Sequence, residues 1–480
     1  MWISIFGYFF LFLIIYSFIS KNKPFSKIDP PGIWSLPIIG NILDLAGSLP
    51  FRDLMNLEKK YGKVYRLWLG SVYTIVVSDP VMTRDMLINN HENFMNRPKS
   101  ISWENTSQPI NDIVTSRDEE WYHCRKLVSN SFTKTRLKTH ISLIEKETQS
   151  LIQVLKKYSN RNLKLNPKTI IFTFSLNIIL TIVMSKKIQY DDLDEVDPDM
   201  KNMIPWIYRI FNDSKFIFGL ESLPLFKPFI RFYMKYINTD HIKFVDLCKK
   251  YCYEHLTSLD PDSPRDLMDT MMLSEGESVD RVALLAVDFL LVGSDTSSST
   301  ILWFMVALVN NPEVQDRAIK EIKNAIGVDR DQVLLSDRIN TPYMVAIIKE
   351  VMRMYPVVPL SLPRESRESI VLQDYYIPKG TKIIFNTYSM GHNVEYWKNP
   401  EVFDPTRFIN DNHVEYNLPF SIGPRNCVGM NLALDELYTA CANIVLNFKL
   451  FSSNGKPISE DLVFTATTKP KDFNIIFENR

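Results

Sequence analysis

The chain is short of cysteine and has no surplus of charge of either sign. Five cysteines scattered over 480 residues make no disulfide framework, which favours a reducing compartment for the folded part. Lysine plus arginine and aspartate plus glutamate each number 55, and no long basic run is present, so the charge gives no attraction to nucleic acid. The seven histidines show no HExxH or paired-cysteine spacing of a zinc site. A bound metal would have to be held in another way.

The sequence also lacks internal repeats, low-complexity tracts and Gly/Ser-rich linkers, and 45% of its residues are hydrophobic. Apolar residues recur about every 3.6 positions from Arg84 to Arg353, which predicts long helices. Alternating apolar residues predict strands at Val64–Leu69, Tyr73–Val77 and Ile383–Phe385. A final apolar helix is predicted at Leu432–Leu446. We therefore predict one large, mainly α-helical domain with small β-sheets.

The N-terminal segment is apolar without interruption. Trp2 to Ile19 contains no charged residue, and eighteen helical residues span about 27 Å, close to the hydrocarbon thickness of the endoplasmic reticulum bilayer. Lysines follow at positions 21, 23 and 27, and the positive-inside rule keeps them and the rest of the chain in the cytosol. A cleaved signal peptide is the alternative, but a basic n-region and an A-x-A-like site are both missing. We therefore predict a single-pass anchor in the endoplasmic reticulum membrane.

A proline-rich segment separates this anchor from the rest of the chain. Residues 28–41 contain three prolines and two glycines, which favour stiff or turning backbone. We accordingly divide the chain into a transmembrane anchor at 1–20, a proline-rich hinge at 21–41 and one main domain at 42–480. The hinge would set the angle of the main domain to the membrane.

The segment from Phe420 to Gly429 carries the strongest chemical signal, and it reads Phe-Ser-Ile-Gly-Pro-Arg-Asn-Cys-Val-Gly. Gly423 and Gly429 permit close approaches that a side chain would block. Cys427 precedes the last helix, whose free N–H groups and positive dipole end stabilise a thiolate. Arg425 adds a cation, and Phe420 can shield the sulfur from water. An ordinary buried cysteine in a glycine turn is the structural alternative.

This decapeptide resembles the haem-binding pattern F-x-x-G-x-R-x-C-x-G of the cytochrome P-450 superfamily, and the resemblance extends over nearly the whole chain. It implies the P-450 fold and a haem-binding catalytic domain at 42–480. The implied cofactor is haem b, iron protoporphyrin IX, with Cys427 as the axial thiolate ligand of the iron. Phe420, Arg425 and Gly429 would belong to the same haem-binding segment.

The segment from Val292 to Ser297 resembles the oxygen-activation motif [A/G]-G-x-[D/E]-T-[T/S] of that superfamily. The resemblance implies that Asp295 and Thr296 are catalytic and relay protons to bound dioxygen. Gly293 would let its helix lie close over the haem, and Val292, in place of a small residue, would narrow the pocket. The alternative is a helix-interior Ser/Thr run whose hydroxyls bond back to helix carbonyls.

Another motif pairs Glu350 with Arg353 as E-x-x-R on one helix face. In the superfamily this pair meets an arginine of a P-E-R-F segment, here Pro405-Thr406-Arg407-Phe408, in which Thr406 replaces the usual acid. The resemblance implies a buried charged network of Glu350, Arg353 and Arg407 with a structural role. Outside this family, a pair at that spacing usually lies on a solvated helix face.

Trp121 and Arg125 match the superfamily pattern W-x-x-x-R, which implies hydrogen bonds to a haem propionate. Arg364 matches another propionate-binding position, and Arg425 would be the third cation. The alternative for the first pair is an amphipathic surface helix. The hinge resembles P-P-G-P-x-x-x-P-x-x-G-N, with Ile33 in place of a proline.

The resemblance to microsomal members implies insertion of one oxygen atom from O2 into a small apolar substrate. The electrons would come from NADPH through a membrane-bound diflavin NADPH–cytochrome reductase, with cytochrome b5 as a second candidate donor and the lipid bilayer as a further partner. Basic residues on or after the Trp121 helix are candidates for docking the reductase or are simply solvated. These residues are Lys126, Lys134, Arg136 and Lys138.

Two other functions stay open for such a haem protein. The first is a haem-thiolate isomerase or dehydratase, which needs no reductase and no proton delivery by Asp295 and Thr296. The second is a non-catalytic haem-based gas sensor, which would need a signalling domain. Substrate specificity is expected in Ser100–Thr115 and Trp206–Phe226, whose aromatic residues indicate an apolar pocket.

Three residues are predicted to be structural. Asp288 lies one turn before Val292, and we interpret it as a buried carboxylate bonded to backbone amides. Cys248 and Cys252 are spaced i,i+4 without further ligands, which predicts packing cysteines and no metal site.

Overall fold

Helices form most of the structure, as the sequence predicts. The computed structural model describes residues 2–100, 112–129, 134–190, 198–410 and 415–480. Its α-helices in chain order are α1 (Trp2–Asn22), α2 (Pro50–Tyr61), α3 (Pro80–Arg84), α4 (Asp118–Ser129), α5 (Lys134–Asn160), α6 (Lys168–Met184), α7 (Pro198–Leu220), α8 (Lys227–Tyr236), α9 (Asp240–Leu256), α10 (Leu267–Met272), α11 (Val279–Asn310), α12 (Pro312–Ile326), α13 (Pro342–Met354), α14 (Thr387–His392), α15 (Arg407–Asn410) and α16 (Met430–Asn447).

The described part of the chain also contains small β-sheets. Its strands are β1 (Val64–Leu69), β2 (Val72–Val77), β3 (Arg364–Glu365), β4 (Ile370–Leu372), β5 (Tyr375–Ile377), β6 (Lys382–Phe385), β7 (Phe448–Ser452), β8 (Leu462–Phe464), β9 (Thr468–Pro470) and β10 (Ile475–Asn479). One sheet has the order β1-β2-β6-β3, and the pairs β7–β10, β4–β5 and β8–β9 form two-stranded sheets. The predicted fold class, mainly helical with small sheets, is confirmed.

The first two strands form the predicted hairpin. They pair antiparallel from Val64 opposite Val77 to Leu69 opposite Val72, and the chain reverses at Gly70, whose φ is +56°. That conformation favours glycine because it lacks a Cβ. β6 then joins β2 in parallel, which places residues from the C-terminal half beside the N-terminal hairpin.

Helix α11 is the central helix of the core. The Ser278 side chain accepts a hydrogen bond from the Arg281 N–H and caps its first turn. The helix packs along α6, whose residues from Ile171 to Met184 are almost all buried. Among the described residues, α11 is the one helix whose length and composition suit a membrane span, but 72% of its apolar window is buried inside the protein. Its apolar surface therefore belongs to the core.

The predicted anchor forms helix α1. Tyr8, Phe12 and Tyr16 of this helix are each more than half exposed. At its end, Lys21 is only 8% exposed and donates from Nζ to the carbonyl oxygens of Ile38 at 3.0 Å and Gly70 at 2.7 Å. The helix is therefore attached to the β1–β2 hairpin at one end, and its insertion into a membrane stays a prediction.

Candidate active site

The loop before α16 holds Cys427 through backbone hydrogen bonds and one required glycine. The Asn426 N–H donates to the Gly423 carbonyl at 3.1 Å, and the Cys427 N–H donates to the Phe420 carbonyl at 2.9 Å. Gly423 has a φ of +78°, and a Cβ at this position would lie 1.9 Å from the carbonyl oxygen of Leu87. Any side chain would therefore displace the loop. The sequence segment thus fixes where the sulfur lies.

The Cys427 side chain is exposed, although the protein surrounds the residue closely. Burial raises the pKa of the thiol, whereas the hydrogen bond from the Gly429 N–H and the charge of Arg125 lower it. Both of these groups favour the thiolate, which is the form that binds metals.

Helix α4 supports the cysteine loop through both of its predicted residues. The Arg125 guanidinium donates to the Asn426 carbonyl and to Asn426 Oδ1, each at 2.9 Å. Trp121, one turn earlier, is 2% exposed, and its ring centre lies 4.9 Å from the guanidinium carbon of Arg425. Trp121 and Arg125 thus lie on the side of α4 that faces the cysteine loop, while Tyr122 and Lys126 on the same helix are exposed.

Three buried arginines, which we call the arginine cluster, lie beside this loop. Arg97, Arg364 and Arg425 are 5%, 2% and 7% exposed. Arg425 donates to the carbonyls of Met95 at 2.6 Å and Ser116 at 2.5 Å, and Arg97 also donates to backbone carbonyls. Within the described residues, no carboxylate forms an ion pair with any of the three.

Arg97 was not predicted, because a single arginine outside any motif carries no signal. It joins the site because its Nη1 donates to the Leu362 carbonyl, 265 residues away along the chain. Burial and the charges of Arg364 and Arg425 lower the pKa of the Arg97 guanidinium well below its usual range. The three arginines of the cluster therefore repel one another as like charges.

The arginine cluster and Cys427 together fit the predicted cofactor. Burial lowers the pKa of Arg364 to about 10, and burial with the charge of Arg364 lowers the pKa of Arg425 to about 9. The Nε atoms of Arg364 and Arg425 are buried and find no hydrogen-bond partner among the described residues. Unused donors on crowded cations fit carboxylates. Haem carries two propionates and an iron, so the arginines would hold the former and Cys427 the latter.

One face of α11 is open although most of the helix is buried. Val292 is 45% exposed, and Thr296, one turn later, is partly exposed between buried neighbours. The Thr296 hydroxyl donates to the Val292 carbonyl at 2.8 Å, which is the back-bonding considered above. The hydroxyl oxygen therefore lies at the open face while its proton is engaged by the helix.

Asp295 lies on another side of the same helix. Its carboxylate is fully buried, accepts a hydrogen bond from the Thr467 hydroxyl at 2.5 Å and pairs with the Lys469 ammonium. The structure therefore does not bring the Asp295 carboxylate together with the Thr296 hydroxyl. A Cβ on Gly293 would lie 2.8 Å from Ile179 Cγ1, so this glycine serves the close packing of α11 on α6.

The structure brings together Glu350, Arg353 and Arg407 in one ion network. Arg353 makes two hydrogen bonds to the Glu350 carboxylate at 2.7 and 2.8 Å, and both side chains are completely buried. Arg407 Nε donates to the same carboxylate at 3.2 Å. The Asp404 N–H adds a fourth hydrogen bond at 2.9 Å. The carboxylate is thus fully paired.

The structure also shows the surroundings of Asp288, Cys248 and Cys252, the three residues predicted to be structural. The Asp288 carboxylate accepts hydrogen bonds from the N–H groups of Ile113 at 3.0 Å and Val114 at 3.4 Å, so the predicted bonding to backbone amides is confirmed, although the residue is only partly buried. Burial, with the charge of Asp112, raises the pKa of Asp288 well above its usual range. Cys248 and Cys252 are free and buried, as expected of packing residues.

The proposed recognition surfaces are described only in part. Lys126 is exposed on α4, whereas the side chains of Lys134, Arg136 and Lys138 lie outside the described residues. Most of the specificity segment Ser100–Thr115 also lies outside them. Docking of a reductase to these four cations stays a prediction.

Comparison with known proteins agrees with this geometry. A family model described as Cytochrome P-450 matches residues 30–477. A probable cytochrome P-450 508A2 of Dictyostelium discoideum is 33% identical, covering 98% of each chain. A probable cytochrome P-450 519B1 of the same organism is 36% identical, covering 100% of this chain and 99% of that protein.

A solved structure gives the same result for the fold. A zebra fish cytochrome P-450, determined with abiraterone, superposes with a TM-score of 0.79 at 26% identity and covers 90% of this chain and all of that one. Sequence and structure comparisons thus agree over nearly the full length. This chain belongs to the cytochrome P-450 family.

Proposed function

We propose that this chain is a monooxygenase that inserts one atom of O2 into a small apolar organic substrate and reduces the other to water. Membership of the family supports haem-thiolate oxygenation in general. The observation that carries the proposal is the position of an exposed Cys427 in a loop whose Arg425 belongs to the buried arginine cluster and whose Arg425 carbonyl accepts a hydrogen bond from Arg364. Bound haem b would supply oxygen activation, and donation from a thiolate favours cleavage of the O–O bond.

The residues around Cys427 hold the negative charge that this chemistry requires. The Gly429 N–H and the Arg125 charge stabilise the thiolate, and Arg125 also fixes the loop through Asn426. The arginine cluster supplies donors for carboxylates, which would orient the cofactor. Trp121 packs on Arg425 and closes this side of the site to water.

We assign proton delivery to Thr296 and Asp295. The Thr296 oxygen lies at the open face of α11, where a hydroxyl can accept and pass a proton. Asp295 follows directly before it in the chain but is held by Thr467 and Lys469. A proton can therefore pass between the two only after Asp295 changes its contacts.

In this proposal, NADPH supplies the electrons through a diflavin reductase, with cytochrome b5 as a second donor. Family members generally need redox partners, and exposed Lys126 on α4 lies on the helix that supports the Cys427 loop. Helix α1, with its exposed aromatic residues, would place the catalytic domain on the cytosolic side of the endoplasmic reticulum membrane. The fold and the apolar α11 face favour an apolar substrate.

The carbon monoxide spectrum of the reduced protein tests the ligand. We expect the strongly red-shifted Soret band of thiolate ligation, and Cys427→His should move it to an imidazole-type position. Cys441→Ala is the control, because that cysteine is buried in the core and should leave the band unchanged. A shifted band that survives in Cys427→His would make another residue the ligand.

Turnover separates the proposed reaction from the two alternatives. With purified reductase, a monooxygenase consumes NADPH and O2 in a substrate-dependent way and releases an oxygenated product. An isomerase would convert a peroxide without NADPH, and a sensor would bind gas with no product. A lipid extract screened for ligands that shift the haem from low to high spin would supply the substrate for this assay.

A further inference from the structure

The ion pair of Asp295 and Lys469 connects α11 to a distant hairpin. β8 and β9 pair antiparallel, and Thr467 lies directly before β9 at the tip of that hairpin. The Lys469 ammonium and the Thr467 hydroxyl both reach the Asp295 carboxylate, 174 and 172 residues away along the chain. Asp295 is 0% exposed and the Lys469 side chain 13%, so the pair is largely removed from water.

Lys469 also contacts the helix that contains most of the predicted specificity segment Trp206–Phe226. Its ammonium lies 5.3 Å from the ring centre of Tyr208 and 5.5 Å from that of Phe211, both on α7. Such distances permit cation–π attraction. One side chain thus joins three elements, namely α7, α11 and the β8–β9 hairpin, next to the residue assigned to proton delivery.

The hairpin itself is fixed to the protein, which makes it a firm support for the lysine. The Thr468 N–H donates to the Val357 carbonyl at 2.9 Å, and the Thr468 hydroxyl donates to the Pro356 carbonyl at 2.7 Å. Movement of Asp295 toward Thr296 therefore has to break its own contacts, because the hairpin cannot easily follow.

We propose that Lys469 is a positioning residue that keeps the Asp295 carboxylate charged and turned away from Thr296, so that proton delivery begins only when this ion pair opens. The inference rests on the proposed function. Because Lys469 also touches Tyr208 and Phe211, displacement of α7 by a bound substrate would weaken the contacts that hold the lysine. Substrate binding and proton delivery would then be linked through one side chain.

The chemical consequence follows from the burial of the pair. A buried carboxylate that loses its paired cation takes up a proton, because an uncompensated buried charge is costly, and Lys469 is the cation that pairs with Asp295 among the described residues. Other titratable groups near the pair are the Tyr208 phenol, on which the charges of Asp295 and Asp472 act, and Lys168, which pairs with Asp472 at 2.8 Å. Removing Lys469 therefore changes the charge of Asp295 more than that of these partly exposed groups.

The test compares three variants with the parent: Lys469→Met, Lys469→Arg, and a double variant that carries both Asp295→Asn and Lys469→Met. All are assayed as haem-loaded protein with the purified reductase. In Lys469→Met we expect the ratio of hydrogen peroxide to oxygenated product to change about fivefold between pH 6 and 9. The parent and Lys469→Arg should change less over that range. The double variant should lose the pH dependence, because the titrating group is then an amide.

A second readout does not depend on turnover. The urea midpoint of Lys469→Met should fall as the pH rises from 5 to 9, because the unpaired Asp295 must ionise in the folded protein, and the double variant should show no such additional fall. Thr467→Val removes one donor and keeps the ammonium, so a smaller shift in the same direction is expected. Thr467→Val takes the place of Lys469→Met in this test if Lys469→Met fails to fold.

Two results would overturn the inference. One is a pH dependence of Lys469→Met that equals the parent in both readouts, and the other is a dependence that persists in the double variant. Both would leave Lys469 with a packing role only. A parent that forms no oxygenated product would instead overturn the proposed function, and the urea midpoints would still test the Lys469–Asp295 pair.

Discussion

The Glu350 network and the arginine cluster are both buried and charged, but they are built in opposite ways. Glu350 receives hydrogen bonds from two arginines and a backbone amide, so each charge has its partner inside the protein. In the arginine cluster, the described partners of Arg97, Arg364 and Arg425 are neutral carbonyls. One site pairs its charges within the protein, whereas the hydrogen bonds of the other go to uncharged carbonyls among the described residues.

This difference separates a structural site from a binding site more clearly than burial does. Arg353 is 1% exposed and Arg364 2%, so accessibility alone does not distinguish them. Removing one member of a paired network destabilises the folded chain, because it leaves a buried charge unpaired. A cluster of cations whose hydrogen bonds go to neutral carbonyls instead suits the binding of an anion.

Breaking the Glu350 network should have the largest effect. Arg353→Met removes two of the hydrogen bonds to Glu350 and leaves its buried carboxylate with Arg407 as the remaining cation. We expect a loss of about 3–5 kcal/mol in the free energy of unfolding. Urea denaturation followed by far-UV circular dichroism measures it.

The matched control is an exposed ion pair. Lys379 and Glu368 lie 2.8 Å apart with side chains 66% and 73% exposed, so Lys379→Met should cost less than about 0.5 kcal/mol. Equal losses in the free energy of unfolding for Lys379→Met and Arg353→Met would mean that burial of the Glu350 network adds nothing to the cost of breaking it.

A second buried glutamate, which has no arginine, sharpens the comparison. Glu436 on α16 is 1% exposed, and its Oε1 finds no partner among the described residues. Burial raises the pKa of its carboxyl to about 8, although the Ser175 and Ser297 hydroxyls act in the opposite direction. Glu436 is therefore expected to keep its proton in the folded chain near neutral pH.

The consequence is a specific dependence of stability on pH. From about pH 4.5 to 8 the folded chain retains a proton that the unfolded chain has lost, so the stability falls as the pH rises. Glu436→Gln should remove that fall and gain about 4 kcal/mol over the parent at pH 8, with little difference at pH 4.5. Urea midpoints at both values measure it. Parallel pH profiles of parent and variant would show that Glu436 does not titrate in this range.

Local patterns in the sequence predicted the parts of this structure whose causes are local. The hairpin at Gly70 followed from alternating residues around a turn, and neighbouring residues contain the whole reason for it. The need for glycine at position 423 has a different cause, because the carbonyl that a Cβ would meet there belongs to the distant Leu87. The placement of Cys427 in a glycine-bounded loop ahead of the last helix is predictable from the sequence for the same reason as the hairpin.

Contacts between distant segments could not be predicted in this way. Lys469 meets Asp295 across 174 residues, and Arg97 meets the segment before Arg364 across 265. A single sequence contains no pattern for such pairs, because they depend on how helices and hairpins pack. The motif named Asp295 correctly as a residue of interest, but only packing shows which cation holds it.

Among the buried charges compared here, the smallest effect on stability should come from Arg364, the member of the arginine cluster with the fewest contacts. It makes one long hydrogen bond, 3.4 Å to the Arg425 carbonyl, and its Nε has no partner among the described residues. Arg364→Met should therefore change the unfolding free energy of the haem-free chain by less than about 1 kcal/mol, and relief of like-charge repulsion can make the change favourable. Haem transfer to apomyoglobin should instead become about tenfold faster, since a charge-assisted bond to a propionate is lost. Arg364→Lys keeps the charge, so its rate of haem transfer should lie between those of the parent and Arg364→Met. A loss of stability as large as that of Arg353→Met, with haem transfer unchanged, would make the arginine cluster structural.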